Sequence, residues 1–505
     1  MGHSTGSTAV RGRGRRSRPL AVAAVGVVLL SAIVAGRTPA GATTVTFDTA
    51  VVAVGDGTSM PLAQSANGRW VVFESTSTNL VPGVSSGGRN AYVWDRDTRT
   101  TIAITNGPAD TSVADVSNNA RFVLLISASD LTCKCSAVGP SRLYLWDRVK
   151  KTTILVPTGA TAGTVLDPTA GMSDDGRYVV YSTTADVLQT GVEYTHRNLY
   201  TWDSLTKVTT AITNDPDRNS WLTPFNASTM APTADQRLAL ATVVSTTGRF
   251  VIFNSASTKL VPGVDTAINV FLWDRTTRSV RAITDISCAA PHPHNRTAGC
   301  VIDYLRDPYP MSMSEDGKWV VFEAAAVDVI PGVTTDGFYN VYLWSSATGQ
   351  TRALTNANAE TYHAKITPNG RYVIFDTNAT NIVPGVDSGT SNSYLYDRVT
   401  GTTVAVNGGD HNVGYSFVTP DGRWVLYASD GQDLVPGGTH GDANTFLWDR
   451  SSGLTTAVTN ANGTSFPLGI TDAATHVLLL SNSTDLVAGV GSGSFAPYQA
   501  HRTEG

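Results

Sequence analysis

Residues 420–425 read Pro420-Asp421-Gly422-Arg423-Trp424-Val425, and the same phrase returns along the chain. It appears as Gly68-Arg69-Trp70-Val71, Gly176-Arg177-Tyr178-Val179, Gly248-Arg249-Phe250-Val251, Gly317-Lys318-Trp319-Val320 and Gly370-Arg371-Tyr372-Val373. Two worn copies, Ala120-Arg121-Phe122-Val123 and Ala474-Thr475-His476-Val477, fall in register. The copies start at 68, 120, 176, 248, 317, 370, 422 and 474, with a basic spacing of 52. A fixed period of that length marks a stack of supersecondary units.

Each unit holds the same parts. A short polar-apolar piece such as Asp115-Val116-Ser117 precedes the glycine. The apolar run follows, then a loop such as Leu80-Val81-Pro82-Gly83-Val84. A third segment ends in an aromatic-Asp pair, as in Tyr92-Val93-Trp94-Asp95, and a fourth carries Thr and Ile, as in Thr101 to Thr105. Val, Ile, Phe, Tyr, Trp and Thr suit a pleated surface. Runs of four to seven residues are strand-sized. The second strand is apolar at successive positions, so both of its faces must be covered. Radial stacking of four-stranded sheets does this and leaves only short edges. The fold expected is all-β, a β-propeller of four-stranded antiparallel blades. Eight blades are expected, seven being the alternative if the second or eighth unit folds otherwise. The turns agree: Asp421-Gly422, Asp316-Gly317, Asp175-Gly176 and Asn369-Gly370 are hairpin dipeptides. The eighth unit shows no clear third strand, whereas Thr44-Val45-Thr46-Phe47-Asp48 and Val51-Val52-Ala53-Val54 look like a third and a fourth. An N-terminal hairpin is therefore expected to complete the last blade. This places the propeller at 43–490 and a C-terminal tail at 491–505.

The first forty-two residues read as an export signal. Arg11, Arg13, Arg15, Arg16 and Arg18 precede an apolar run from Pro19 to Val34, and Ala40-Gly41-Ala42 offers a cleavage site. Cleavage after Ala42 is expected, an uncleaved anchor being the alternative. Six arginines leave with that segment and no acid does, so the net charge moves from −5 to −11. Such a surface disfavours nucleic acid and anionic membranes as partners. No later stretch is apolar and long enough to span a membrane as a helix. With 41% hydrophobic and 15% charged residues, the chain has neither the composition of a disordered protein nor that of a coiled coil.

In Ser314-Glu315-Asp316-Gly317-Lys318-Trp319 and Pro420-Asp421-Gly422-Arg423-Trp424, each followed by a segment like Val341-Tyr342-Leu343-Trp344, the chain resembles the WD-like repeats of TolB-type propellers. The resemblance runs over nearly all of 43–490. It implies a secreted or periplasmic binding platform, here without the separate N-terminal α/β domain of the translocation protein.

Cysteines and polar residues supply the remaining candidates. Cys288 and Cys300 flank an eleven-residue loop, and an exported chain permits a disulfide there. Closing it would contribute about 3 kcal/mol. Cys133 and Cys135 form a tight bridge or stay reduced. His292 and His294 lie inside the Cys288–Cys300 loop as weak metal candidates, but C-x-x-C spacing is absent. Long inserts at 214–241 and 285–310 connect a fourth strand to the next first strand, on the face that also carries the Leu-Val-Pro-Gly loops. Long loops mark that face as the binding surface, with Trp221 and Phe225 as candidate contacts. Glu360 and His363 precede the first strand of the sixth unit, and Asp410 and His411 that of the seventh. Adjacent blades are expected to bring His363 and His411 together near the axis, with all four residues at the axial mouth. Asn90, Asn198, Asn269, Asn340, Asn392 and Asn444 recur before the third strand as local backbone partners. Gly83-Val84-Ser85-Ser86-Gly87 matches G-x-S-x-G but has no strand–turn–helix context.

These readings lead to a monomeric, secreted or envelope-associated binding platform with no cofactor. Its partner is a protein or glycan of the envelope or the exterior. The alternative is an extracellular glycan-acting lyase or hydrolase with an Asp/His site at the axial mouth.

Overall fold

The structure is a computed structural model. It describes residues 45–504 except 85–87, 134–137, 162–165, 186–187, 190, 193–195, 216–217, 223–242, 265–267, 287–308, 326–328, 331–332, 334–336, 387–389, 409–410 and 491–493. The described residues form eight four-stranded antiparallel sheets and no helix.

The chain enters through β1 (Val45–Val51) and then lays down seven blades in order. Blade 1 is β2 (Ser59–Gln64), β3 (Trp70–Ser75), β4 (Asn90–Asp95) and β5 (Thr100–Ala103). Blade 2 is β6 (Thr111–Val116), β7 (Phe122–Ser129), β8 (Val138–Asp147) and β9 (Thr152–Leu155). Blade 3 is β10 (Leu166–Met172), β11 (Tyr178–Thr183), β12 (Asn198–Asp203) and β13 (Thr209–Ala211). Blade 4 is β14 (Ser220–Trp221), β15 (Phe250–Ser255), β16 (Asn269–Asp274) and β17 (Ser279–Ala282). Blade 5 is β18 (Tyr309–Met313), β19 (Trp319–Ala324), β20 (Asn340–Ser345) and β21 (Thr351–Ala353). Blade 6 is β22 (Thr361–Ile366), β23 (Tyr372–Thr377), β24 (Asn392–Asp397) and β25 (Thr402–Ala405). Blade 7 is β26 (Val413–Val418), β27 (Trp424–Ser429), β28 (Asn444–Asp449) and β29 (Leu454–Ala457). Blade 8 takes β30 (Ser465–Ile470), β31 (His476–Ser481) and β32 (Ala496–Glu504), and its outer strand is β1.

The closure corrects two expectations. Residues 496–504 are not a tail but the third strand of blade 8, paired with β31 from His476↔His501 to Ser481↔Ala496. The N-terminus supplies one strand rather than a hairpin, with Val45↔Glu504 to Val51↔Tyr498 as its register. Val52 and Ala53 then run inward and are buried. The unit had hidden its third strand because Ala500-His501 stands in place of the usual aromatic-Asp ending.

First strands are innermost, since those of successive blades touch: β6 with β10, β18 with β22, β26 with β30, and β30 with β2. Second and third strands form the core. Val71, Val72 and Phe73 are all 0% exposed, which requires cover on both faces. Aromatic rings pair across these strands, as in Phe73–Tyr92 and Phe322–Tyr342, with centroids 5.3 Å apart. Such cross-strand pairs are the unit of sheet stabilisation.

The recurrent phrase acquires a separate function for each residue. The glycine turns at positive φ, and a Cβ there would strike the aromatic ring of the preceding blade: Gly176 against Phe122, Gly248 against Tyr178, Gly422 against Tyr372. In six blades the arginine grips the aspartate that ends the third strand. Arg69–Asp95, Arg121–Asp147, Arg177–Asp203, Arg249–Asp274, Arg371–Asp397 and Arg423–Asp449 pair through Nε and Nη2 at 2.8–3.3 Å. Two parallel charge-assisted bonds of this kind fix direction as well as distance. Burial works against these carboxylates, yet the guanidinium and turn N–H groups hold Asp203 and Asp274 down to about 2. Blades 5 and 8 lack both members: Lys318 faces a strand ending in Ser345, and Thr475 one in which His501 replaces the aspartate. The arginine after the aspartate reaches back to the previous blade's ring, where the π-face attracts the cation. Arg148 lies 3.7 Å from the Trp70 centroid, Arg275 3.7 Å from Tyr178, Arg398 4.1 Å from Trp319, Arg450 4.8 Å from Tyr372 and Arg502 4.3 Å from Trp424.

The six asparagines do more than bond locally. Asn340 Nδ2 donates to Phe338 O at 3.4 Å, while its Oδ1 accepts from Thr355 Oγ1 at 2.9 Å and Ala357 N at 2.7 Å. Asn90, Asn198, Asn269 and Asn444 repeat the acceptor pattern. Each ties the start of a third strand to the exit of the fourth. Asn340→Ala would leave two buried donors unpaired and is expected to cost about 2 kcal/mol in denaturant unfolding.

Candidate functional site at the mouth of blades 6 to 8

Fourth-to-first and second-to-third connections meet on one face. Asp110 Oδ1 accepts from Arg89 N at 2.7 Å, and Asn106 Nδ2 donates to Gly83 O at 2.8 Å. On this face the inner strands β22, β26 and β30 begin.

A bulge interrupts both β22 and β26, one residue after the second pair. The bulged residues are His363 and Tyr415, at φ 62° and 57°. Other non-glycine residues at positive φ among those described lie in turns between strands, whereas these two lie within strands. Left-handed backbone at residues of this size is strained and is held only when the surroundings determine it. The two rings stack at 6.1 Å with 21° between planes. Tyr362 meets the His363 ring edge-on at 5.1 Å, Tyr415 leads to Phe466 at 5.2 Å, and Phe466 to Phe495 at 6.2 Å. An aromatic row thus crosses three blades, and Phe495 at its end is 38% exposed.

Charged groups lie under one end of this row. His363 Nδ1 sits 3.3 Å from Asp376 Oδ2, and Asp376 is fully buried. Asp376 Oδ1 accepts from Ser393 Oγ at 2.6 Å and from Ser416 Oγ of the next blade at 2.8 Å. Burial disfavours the imidazolium, but the hydrogen bond and charge of Asp376, with the charge of Glu323, raise His363 above its ordinary value. Glu323 is pushed up to about 7 by burial, although Ala364 N donates to its Oε1 at 2.8 Å. Burial lowers Lys365 to about 8, and its Nζ lies 4.2 Å from the Phe417 centroid. Tyr362 Oη donates to Ser391 Oγ at 2.5 Å. The cluster offers an imidazole with one nitrogen on a buried carboxylate, beside flat rings.

The expected pairing of His363 with His411 does not occur. His411 Nε2 instead contacts Asp433 Oδ1 at 2.6 Å in the second-to-third loop of its own blade. Glu360 Oε2 accepts from Tyr339 N at 2.8 Å, as Asp110 does from Arg89 N between blades 1 and 2. A carboxylate one residue before a first strand therefore ties neighbouring blades together. Trp221 ends β14, paired with Asn254. Asp410, Phe225, His292, His294, Cys135, Cys288 and Cys300 lie outside the described residues. Among the described residues no cluster of three His, Cys, Asp or Glu is arranged to hold a metal.

Asp376, Glu323 and Tyr415 escaped sequence reading, although a signal was there. Phe73-Glu74, Phe322-Glu323 and Phe375-Asp376 each place an acid in a strand buried on both faces. Such an acid needs a partner. Glu74 and Glu323 cap the next blade's inner strand through Val113 N and Ala364 N, and Asp376 takes a histidine and two serines.

No family model matches the sequence, and no curated protein matches it. Solved structures do match in fold. Dipeptidyl peptidase 4 of Porphyromonas gingivalis aligns over 86% of this chain at 10% identity with a TM-score of 0.50, and the chain spans 56% of that protein. Oligogalacturonate lyase of Vibrio parahaemolyticus aligns over 91% of this chain and 97% of its own length, at 13% identity and TM-score 0.44. A putative TolB from Agrobacterium tumefaciens aligns over 62% of this chain and 86% of its own, at 14% identity and TM-score 0.31. At these identities the likeness is one of fold: the chain is a β-propeller.

Proposed function

We propose that this chain is an exported TolB-type propeller that binds a protein or glycan at the mouth of blades 6 to 8, on the loop-rich face. The observation that carries the reading is the pair His363 and Tyr415, strained within strands and stacked across a blade seam in the aromatic row. Strain of this kind persists at sites where a side chain must be aimed. Flat rings give contact area at small entropic cost, and the imidazole adds a directional polar contact. The reading includes export by residues 1–42 with cleavage after Ala42, so that the ring faces envelope or external partners.

Pull-down from an envelope extract and a glycan array, each run with wild type, Tyr415→Ala and Phe466→Ala, test it. Both variants are expected to melt near wild type and to lose at least about tenfold in affinity for whatever wild type captures. Capture undiminished in both variants would sink the proposal.

A second reading, a glycan-acting lyase or hydrolase, is favoured by one arrangement: His363 raised by Asp376, with Glu323 at about 7 beside them. Turnover of an extracellular polysaccharide that disappears in His363→Gln would support it, while turnover retained there would exclude this site.

A further inference from the structure

Two seams lack the arginine that elsewhere reaches back onto the previous blade's ring. After Asp203 comes Ser204, and after Ser345 comes Ser346. Between blades 4 and 5 another arginine crosses the gap. Arg281, on β17 of blade 4, donates from Nη1 to Ser346 O at 2.6 Å and lies 5.1 Å from the Trp344 centroid. Between blades 2 and 3 the corresponding residue is Ile154, because Leu145 pairs with Ile154 as Leu272 pairs with Arg281. Neither solution is present there.

The result is a cavity of about 430 Å³ lined by Phe122, Arg121, Asp147, Gly176, Arg177 and Ser204, among others. Phe122 still packs on Gly176 and keeps its own Arg121 at 4.7 Å. Ser204 Oγ donates to Gly176 O at 2.9 Å, the carbonyl position that Arg148 Nε uses on Ala120 and Arg450 Nε on Gly422. Among the described residues no arginine of blade 3 lies over the Phe122 ring. The two ion pairs flanking the seat correspond to those of its occupied relatives. Arg148 lies among Arg69, Arg121, Asp95 and Asp147. One blade on, the counterparts are Arg121, Arg177, Asp147 and Asp203, again two cations and two anions. Lys150 and Lys207 are exposed at the rim.

We propose that this cleft is a docking seat for an arginine side chain of a partner protein, its guanidinium stacking on Phe122 as Arg148 stacks on Trp70. The occupant is identified by the ring of blades itself: five other seams stack a guanidinium of their own in the equivalent place, and a sixth sets Arg96 against His476. The two rim lysines favour an acidic residue beside the partner's arginine. The seat lies on the hairpin face, opposite the mouth of blades 6 to 8, and is independent of that site.

Titration of the full folded chain with N-acetyl-arginine amide, followed by ligand-observed NMR, tests this. Saturable binding is expected, at least about fivefold tighter than for the uncharged citrulline analogue. Ser204→Arg should supply the missing side chain, raise the melting temperature and weaken arginine-amide binding at least about tenfold. Ile154→Arg fills the gap from the blade 2 side, as Arg281 does from blade 4, and predicts the same loss if the first variant fails to fold. Absence of saturable binding to wild type, equal binding of the citrulline analogue, or undiminished binding to a folded filler variant would each overturn the proposal.

Discussion

Deletion of residues 45–51 is expected to abolish the single cooperative melt of the ring. Those residues are β1, paired along its whole length with β32. Phe47 and Val51 pack onto the blade 8 core that contains Val477, Leu479 and Tyr498. Without β1 that core faces water, and the outer edge of β32 is left with unpaired backbone groups. Burial of one apolar side chain contributes about 1.5–3 kcal/mol, so the loss is on the order of 5 kcal/mol, comparable with the whole stability of a domain. Val52 N still donates to Pro497 O, and Gln499 Nε2 still bridges to Gly68 O in blade 1, but these bonds alone leave blade 8 with an open edge. Calorimetry should show a broad or split transition, whereas a chain that merely starts at Val45 should melt as one unit. A truncated ring with an unchanged, sharp melt would refute closure by this strand.

The second large effect is a histidine contribution at the same closing seam that destabilises the folded ring in acid. His476 stands where other blades place Trp, Tyr or Phe, and it is buried. Its ring stacks on His501 at 4.6 Å, and Arg96 of blade 1 contacts its Nε2. Asp48, Arg99 and Asp97 complete the charged surroundings. Burial, then the charges of Arg96 and His501, push His476 down to about 4, with Asp97 opposing. The unfolded chain therefore binds a proton at this residue between pH 6.5 and 4 while the folded ring does not, so stability falls as pH falls through that window. The shift corresponds to about 3 kcal/mol at most. Asp115 and Glu323 act in the opposite sense. Both are pushed up to about 7 by burial, so they favour the folded state as pH falls from 7 towards their unfolded values. The wild-type profile is a difference of these trends, and a substitution isolates the histidine. His476→Tyr installs the residue that blades 3 and 6 carry at this position. It should match wild type at about pH 7 and exceed it by about 2–3 kcal/mol at about pH 4 in denaturant unfolding. Parallel pH profiles for the two proteins would remove the seam from the explanation.

Much of this architecture was legible in the repeated phrase. Successive apolar residues in the second strand require cover on both faces, and a 52-residue period with four strand-sized runs leaves radial stacking as the natural solution. Closure was legible in part. A spare strand at the N-terminus pointed to it, but β32 was misread because its sequence departs from the ending that marks the other third strands. The arginine and aspartate of the phrase were visible as repeats, but their pairing was not, because they stand 25 or 26 positions apart. Blades 5 and 8 could have revealed it, since each has lost both partners.

The candidate site divides in the same way. His363 was legible as a histidine close to the inner strand of the sixth unit, although it lies within β22 and not before it. Its partner was not, because Asp376 sits on the next strand of the blade and comes within reach only through the bulge. His411 and Glu360 looked equivalent to it, yet positions one or two residues before a first strand face the neighbouring loops and are consumed there.

The net charge of −5, the basic-then-apolar order of the first residues and the number of repeats belong to the sequence, because composition and period are properties of the chain order. Which residues meet across a seam belongs to the tertiary structure alone. Seams between consecutive blades join residues about one period apart, whereas the closing seam joins the two ends of the ring, as Gln499 to Gly68 and Arg96 to His476. Which ring an arginine of the next blade covers is decided where neighbouring blades touch, because residues a period or more apart meet only when the blades stack.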